Sequence, residues 1–227
     1  MNEHEKELIA MLLGDARPAP GLERWLETKT GRREIAAYRR ALSALEQLYR
    51  NVATSGSRRI AYYDAVTTPI GRLLVAATDS GLVRIAFRQR EASFVTALRK
   101  RLGAEVVRSR SRTAEIVSQL RAYFAGARRE FDVPLDLNAL TSFQRRVLLA
   151  TTKVPSGKVV SYGDIARRIG RPRGSRAVGQ ALGRNPVPIV IPCHRVVGSG
   201  GRLGGYTGGL DVKKTLLRLE GALAAVG

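Results

Sequence analysis

The chain of 227 residues holds a single cysteine, Cys193, and two histidines, His4 and His194. One thiol excludes an intramolecular disulfide and fits a reducing compartment. One cysteine and two histidines also cannot assemble a Cys/His structural zinc site within the chain. No run of about 18 apolar residues occurs, so no segment is expected to cross a membrane as a helix. Residues 1–10 carry mixed charge and lack the apolar stretch of a secretory signal, which makes the cytoplasm the expected location. Acidic residues are also scarce: 19 Asp and Glu stand against 39 Lys and Arg, a net charge of +20. Such an imbalance suits a polyanion, because each neutralised phosphate releases condensed counterions. Membrane headgroups are the weaker match, since no strongly amphipathic basic helix is evident. What is present in quantity is hydrophobic side chain, 44% of the sequence, enough for packed cores.

Three segments differ in character. Residues 1–57 are expected to form a helical extension. Residues 3–13 and 32–49 have helical patterning, and Ile35, Tyr38, Leu42, Leu45, Leu48 and Tyr49 fall near one face at a period of 3.6. Pro18 and Pro20 separate the two stretches, and residues 51–59 read as a polar linker. A helical hairpin covering its neighbour is the favoured reading. Residues 24–40 also weakly resemble the zinc-binding helical module of anti-sigma factors. Arg24, Thr28 and Gly31 stand where that module has its histidine and cysteines, so no metal site and no function follow.

Residues 58–137 read as a small α/β domain. Residues 60–66, 73–78 and 82–87 are β-rich runs separated by the turn signals Thr68-Pro69-Ile70-Gly71 and Asp79-Ser80-Gly81. Helices are predicted near 91–101 and 113–125, followed by an extended segment at 130–135. Residues 138–227 are mainly helical. Thr141 or Ser142 caps a helix to about 153, and Ser161 caps 162–169. After a turn at 170–174, Ser175 opens a helix over 176–182. The last two read as a helix-turn-helix.

The chemistry concentrates around Cys193. Pro186, Pro188 and Pro192 stiffen the approach, and residues 189–191 read as a buried β-like run. A thiol reacts as thiolate, and its pKa falls beside His, Arg or a helix N-terminus. His194 and Arg195 adjoin Cys193 in the sequence, so a lowered value is expected. The alternative is a buried, inert cysteine, since Cys-His dipeptides occur by chance. Residues 196–209 are glycine-dense, which suits a loop wrapped closely around a flat ligand. Glu220 lies at the C-terminal end of a predicted closing helix, where the macrodipole does not favour an acid. Either it has another task, such as orienting His194, or it is ordinary surface.

Pro192-Cys193-His194-Arg195-Val196 resembles the active-site signature of the O6-alkylguanine-DNA alkyltransferases (methylated-DNA–protein-cysteine methyltransferases). Ser161-Tyr162-Gly163-Asp164-Ile165-Ala166 resembles the family's tyrosine segment, and Arg176-Ala177-Val178-Gly179 its recognition-helix arginine segment. Asn185-Pro186, the run Gly205-Tyr206-Thr207-Gly208-Gly209 and the stretch from Lys214 to Glu220 follow in the expected order. Thr68-Pro69-Ile70-Gly71 and residues 79–87 resemble the family's N-terminal domain. The resemblance covers roughly residues 60–227, and several spaced motifs in order are specific where one alone is not.

The resemblance implies an α/β (α+β) protein, with a ribonuclease H-like sheet in the first domain and the helix-turn-helix in the second. It implies repair of DNA by direct reversal, in which the alkyl group on guanine O6 moves irreversibly to Cys193 in one turnover. Activity on O4-alkylthymine is left open. His194 would act through a water as base for the thiol, Glu220 would hold His194, and Asn185 would join the same network. Tyr162 would donate toward the purine. Arg176 would enter the base stack from the minor groove as the nucleotide flips out. Ala177, Gly179, Ser161 and Arg195 would accompany it in DNA binding. Val196, Pro188, Tyr206, Thr207 and Gly208 would form the substrate pocket. Thr207 stands where several members have serine, which leaves the pocket's size open. No cofactor or metal is required. The expected partner is double-stranded DNA carrying O6-alkylguanine, bound by a monomer, with cooperativity along DNA left open. A non-catalytic lesion sensor is the rival, but relatives of that kind lack the cysteine. A self-alkylating transcriptional regulator would need an added domain with metal-binding cysteines. A thiol hydrolase would need a base reaching the sulfur directly and an oxyanion hole.

Overall fold

The structure is a computed structural model. It describes residues 59–226 and, before them, residues 21, 24, 25, 27, 28, 30–33 and 35–37. Residues 1–58 and 59–227 form two separate compact units. In the first, residues 30–33 and 35–37 are helical. The Thr28 hydroxyl donates to the Trp25 carbonyl at 2.7 Å and accepts from the Gly31 amide at 3.0 Å. The helix expected over 3–13 and most of that expected over 32–49 lie outside the described residues.

The second unit begins with a meander. Strands β1 (Ile60–Thr68), β2 (Gly71–Thr78) and β3 (Gly81–Phe87) pair antiparallel. Helix α1 (Glu91–Leu102) then crosses back, so that β4 (Glu105–Arg108) lies parallel beside β1 in the order β3-β2-β1-β4. Alternation divides the sheet between two cores. Leu74, Ala76, Val83 and Ala86 meet Phe94 and Leu98 of α1. Leu73, Val75, Leu82 and Ile85 join Ile116, Leu120 and Tyr123 of α2 (Arg110–Phe124) and the C-terminal domain. Both faces are covered, which explains why β2 reads as a continuous apolar run.

The structure adds one strand that no sequence expectation covers and alters one expected segment. β4 carries no strong strand signal, because it is a four-residue edge in which Val106 alone is buried. The segment expected to extend over 130–135 is not a strand. Its contact with the sheet is a bridge between Leu82 and Leu135, where the Leu82 amide donates to the Pro134 carbonyl at 2.8 Å. Pro134 has no amide with which to continue a ladder. Gly81 makes this approach possible: its φ is +132°, and a Cβ there would lie 2.4 Å from the Pro134 oxygen.

The C-terminal domain is built on caps that the sequence shows. Thr141 and Gln144 form a capping box on α3 (Ser142–Thr152), and Ser161 and Asp164 form one on α4 (Tyr162–Arg168). Helix α5 (Ser175–Gly183) packs against both, burying Val178, Ala181 and Leu182 on one face. Two short strands, β5 (Val160–Ser161) and β6 (Val196–Val197), pair in parallel. They set the start of α4 beside the loop that carries the cysteine. Helix α6 (Leu210–Leu219) closes the domain.

The two domains meet at Glu220. Its Oε1 accepts from the Tyr123 hydroxyl of α2 at 2.7 Å and from Arg195 Nη2 at 2.8 Å. Its Oε2 accepts from Arg195 Nε at 2.8 Å. Burial pushes the Glu220 carboxyl up, but hydrogen bonds from His194 and Arg195 outweigh it and hold the group down at about 2. A depressed carboxyl adds stability that is complete above its unfolded pKa and is lost as pH falls through the folded one. For Glu220 the window runs from about 4.5 down to about 2. Glu220→Gln leaves the Arg195 charge buried without its counterion and should lose about 3–5 kcal/mol of stability. Urea unfolding at stepped pH should also show the variant losing less stability than the parent chain across that window.

Candidate active site

Cys193 opens a single 3₁₀ turn, Cys193–Arg195, at the end of a turn-rich approach. Residues 189–191 are not the β-like run expected. Pro188 and Ile191 bridge each other around a turn, and Ile189 has φ +78°. The reason is Asn185. Its Oδ1 accepts from the Val187 amide at 3.1 Å, and its Nδ2 donates to the Ile191 carbonyl at 2.9 Å. That amide then donates to Cys193 Sγ at 3.1 Å. One side chain thus folds the turn and touches the sulfur.

The thiol's environment also differs from expectation. Cys193 is 6% exposed, and burial pushes its pKa up to about 11, partly opposed by the Asn185 amide and the Lys213 charge. Adjacency in sequence does not bring the charges of His194 and Arg195 to the sulfur, because both side chains turn toward Glu220. His194 is fully buried, with Nε2 3.0 Å from Glu220 Oε1. An ionised carboxylate only accepts, so Nε2 carries the hydrogen. Burial holds the His194 pKa down, which keeps the ring neutral and leaves Nδ1 with a free lone pair. Nδ1 is buried with no hydrogen-bond partner among the described residues. The result is an ionised acid, a tautomer fixed by it, and a bare basic nitrogen.

Arg195 corrects a second expectation. The guanidinium is buried, ion-paired to Glu220, and donates to the Val154 carbonyl at 2.5 Å. It braces the active site from within and is not available to DNA.

Above the sulfur lies a cavity of about 290 Å³, lined by Tyr162 and Cys193, by Gly179, Leu182 and Gly183 of α5, and by Gly205, Tyr206 and Thr207. This is the low end of the usual range for ligand sites and suits one nucleobase. Gly179 faces the Tyr162 ring, 3.8 Å from where its Cβ would be. The Thr207 hydroxyl donates to the Gly183 carbonyl at 3.4 Å, joining the glycine-dense loop to α5. Three expected pocket residues lie elsewhere. Val196 is fully buried in β6, Pro188 is buried in the turn, and Gly208 packs on Phe87, with ring carbons 3.1 Å from a Cβ built there. Ser161 is occupied in capping α4. Arg176 and Ala177 are exposed on α5, and Arg176 lies opposite its buried residues.

Two contributors escaped sequence reasoning. Tyr123 reaches Glu220 from 97 residues away, and no local signal marks it. Lys213 is fully buried, and its Nζ donates to the Val196 carbonyl at 2.7 Å and to the Leu203 carbonyl. These bonds tie the loop after the cysteine to α6. Burial lowers the Lys213 pKa to about 8, opposed by Cys193. A helical wheel offers a signal for Lys213, since it shares a face with Leu216 and Leu217.

Known proteins match this chain across both domains. Residues 61–137 match the family model for the ribonuclease-like domain of 6-O-methylguanine DNA methyltransferase, and residues 142–222 match that for its DNA binding domain. The chain is 42% identical over 161 residues to a methylated-DNA–protein-cysteine methyltransferase of Methanosarcina acetivorans, covering 71% of this chain and 99% of the relative. It is 46% identical over 163 residues to one from Mycolicibacterium paratuberculosis, covering 70% and 91%. Among solved structures, the Mycobacterium tuberculosis O6-methylguanine methyltransferase aligns with TM-score 0.62 and 41% identity, over 71% of this chain and 93% of that one. The structure of the M. tuberculosis OGT in complex with DNA aligns with TM-score 0.60 and 39% identity, over 73% and 94%. With both domain models matched in chain order around the Cys193 pocket, the chain belongs to the 6-O-methylguanine DNA methyltransferase family.

Proposed function

We infer that this protein repairs alkylated DNA by moving an alkyl group from guanine O6 to Cys193, once per molecule. The observation that carries the reading is the pocket itself: a thiol at the floor of a cavity sized for one base, connected behind to Asn185 and followed by a His194–Glu220 pair. The base enters beside Tyr162 and Tyr206. The Cys193 sulfur attacks the alkyl carbon, the carbon–O6 bond breaks, and its electron pair stays with the purine. The proton lost from sulfur passes through a water to His194 Nδ1, and the purine recovers a proton to become guanine. A protonated resting thiol fits this sequence, because the proton leaves as the sulfur is engaged. Tyr162 donates to the purine as charge develops on it. The thioether that forms contains no group water can displace, so the protein is consumed.

DNA is bound by the exposed face of α5. Its target lies inside the duplex and must be extruded to reach the cavity. Arg176, exposed and without a partner among the described residues, fills the vacated stack from the minor groove, and Ala177 permits close approach to the backbone. Methyl is the expected substituent, and the chain acts as a monomer.

Three experiments test the reading. Mixed with a duplex containing O6-methylguanine, the protein should gain the mass of one methylene on the tryptic peptide that contains Cys193. Cys193→Ala should bind the duplex with affinity within about threefold of the parent chain and gain no mass; undiminished transfer by that variant refutes the nucleophile. Arg176→Ala should slow repair of duplex DNA by at least about tenfold, a loss of roughly 1.4 kcal/mol in transition-state stabilisation. Its reaction with free O6-benzylguanine should change far less, and an equal loss on both substrates would remove the stacking role.

A further inference from the structure

The cavity over Cys193 has a larger neighbour. A cleft of about 460 Å³ lies between β3, the start of α3 and the loop after α5. Three arginines line it: Arg84 from β3, Arg101 from the last turn of α1, and Arg184, the C-cap of α5. Arg84 and Arg101 are half-buried and Arg184 is exposed. Among the described residues, none of the three guanidinium groups makes a hydrogen bond or an ion pair.

The other arginines without a side-chain partner among the described residues of the sheet domain, Arg59, Arg90, Arg99, Arg110 and Arg121, are exposed, so half-burial sets Arg84 and Arg101 apart. Arg72 is paired with Glu91, Arg108 with Asp64, Arg112 with Asp79, and Arg88 with Asp211. Burial works against the charged form of Arg84, and the neighbouring Arg101 charge adds to it. Burial likewise works against Arg101, relieved in part by Asp136. Two guanidiniums of like charge, half out of water and with Asp136 relieving only Arg101, are better held once an anion enters. The planar fork of arginine fits a phosphate with paired hydrogen bonds.

Position identifies the anion. The cleft shares Gly183 and Thr207 with the cavity over Cys193, and Asn185, which donates to the cysteine sulfur, lines its wall. An anion in the cleft and a base over Cys193 are therefore adjacent, as a nucleobase and a backbone phosphate of one strand are. We propose that Arg84, Arg101 and Arg184 form a site for a backbone phosphodiester of the strand whose base enters the Cys193 pocket. The N-terminal sheet domain then holds DNA together with α5. This rests on the alkyltransferase reading and extends it to a second point of contact.

The test is the salt dependence of binding to a lesion duplex, read by fluorescence anisotropy. Arg84→Gln/Arg101→Gln should weaken binding by about tenfold at fixed salt. The slope of log K against log salt should become shallower by about 0.9 for the lost phosphate contact. Arg184→Gln, a change at an exposed position, should move the slope in the same direction. The control Arg110→Gln/Arg121→Gln removes the same charge from exposed positions of α2 and should leave the slope unchanged. The melting midpoint of Arg84→Gln/Arg101→Gln should equal or exceed that of the parent chain, because a repulsion is removed. Equal losses in the site and control variants would overturn the proposal, as would an unchanged slope for Arg184→Gln. If inorganic phosphate raises the melting midpoint of the parent chain but not of Arg84→Gln/Arg101→Gln, while DNA affinity is the same for both, the cleft takes free phosphate and the proposal also falls. A parent chain that neither binds the duplex nor gains mass at Cys193 would sink the alkyltransferase reading itself. A parent chain that does both while the slopes stay equal would remove the phosphate site alone.

Discussion

Glu220 accepts hydrogen bonds from three side chains delivered by two distant parts of the chain. Tyr123 comes from the sheet domain, while His194 and Arg195 come from the turn behind the thiol. A carboxylate in that position must stay ionised, because two of its partners hold it so against burial. Its ionisation fixes the His194 tautomer, and the tautomer leaves Nδ1 as the free base. The same charge neutralises Arg195, which in turn grips the Val154 carbonyl beyond α3. Domain packing and the tautomer of His194 therefore depend on one group.

The cysteine itself follows an opposite logic. Many reactive thiols sit in electropositive, partly exposed places that lower their pKa. Here burial dominates and raises it. Burial keeps the resting sulfur largely out of solvent and in its protonated form. For a residue that reacts once and is not regenerated, protection in the resting state matters more than standing reactivity. The cations near the thiol are put to other uses: Arg195 braces Glu220, and Lys213 fastens the loop through the Val196 and Leu203 carbonyls.

Much of the fold was legible because local rules coincide with the observed elements. The capping boxes at Thr141 and Ser161 mark helix starts that the structure repeats. The turn signals at Thr68–Gly71 and Asp79–Gly81 separate three strands that form as expected. Where reading failed, a long-range partner overrode the local signal. β4 is a strand because β1 offers it an edge. Residues 189–191 turn because Asn185 satisfies their backbone groups, which no apolar triplet announces.

By its composition and motif order alone, the sequence determined a cysteine nucleophile, a basic surface suited to DNA, and the family whose chemistry uses both. These are properties of residue identity and spacing, and they do not depend on where a side chain points. Only the tertiary structure decided which way Arg195 faces, which residue of the sheet domain completes the Glu220 site, and that Lys213 is buried. The first two depend on partners far apart in the chain meeting one charged group, Glu220, in a low-dielectric interior, and the third on loop carbonyls that meet Lys213; none of these arrangements exists until the chain has packed.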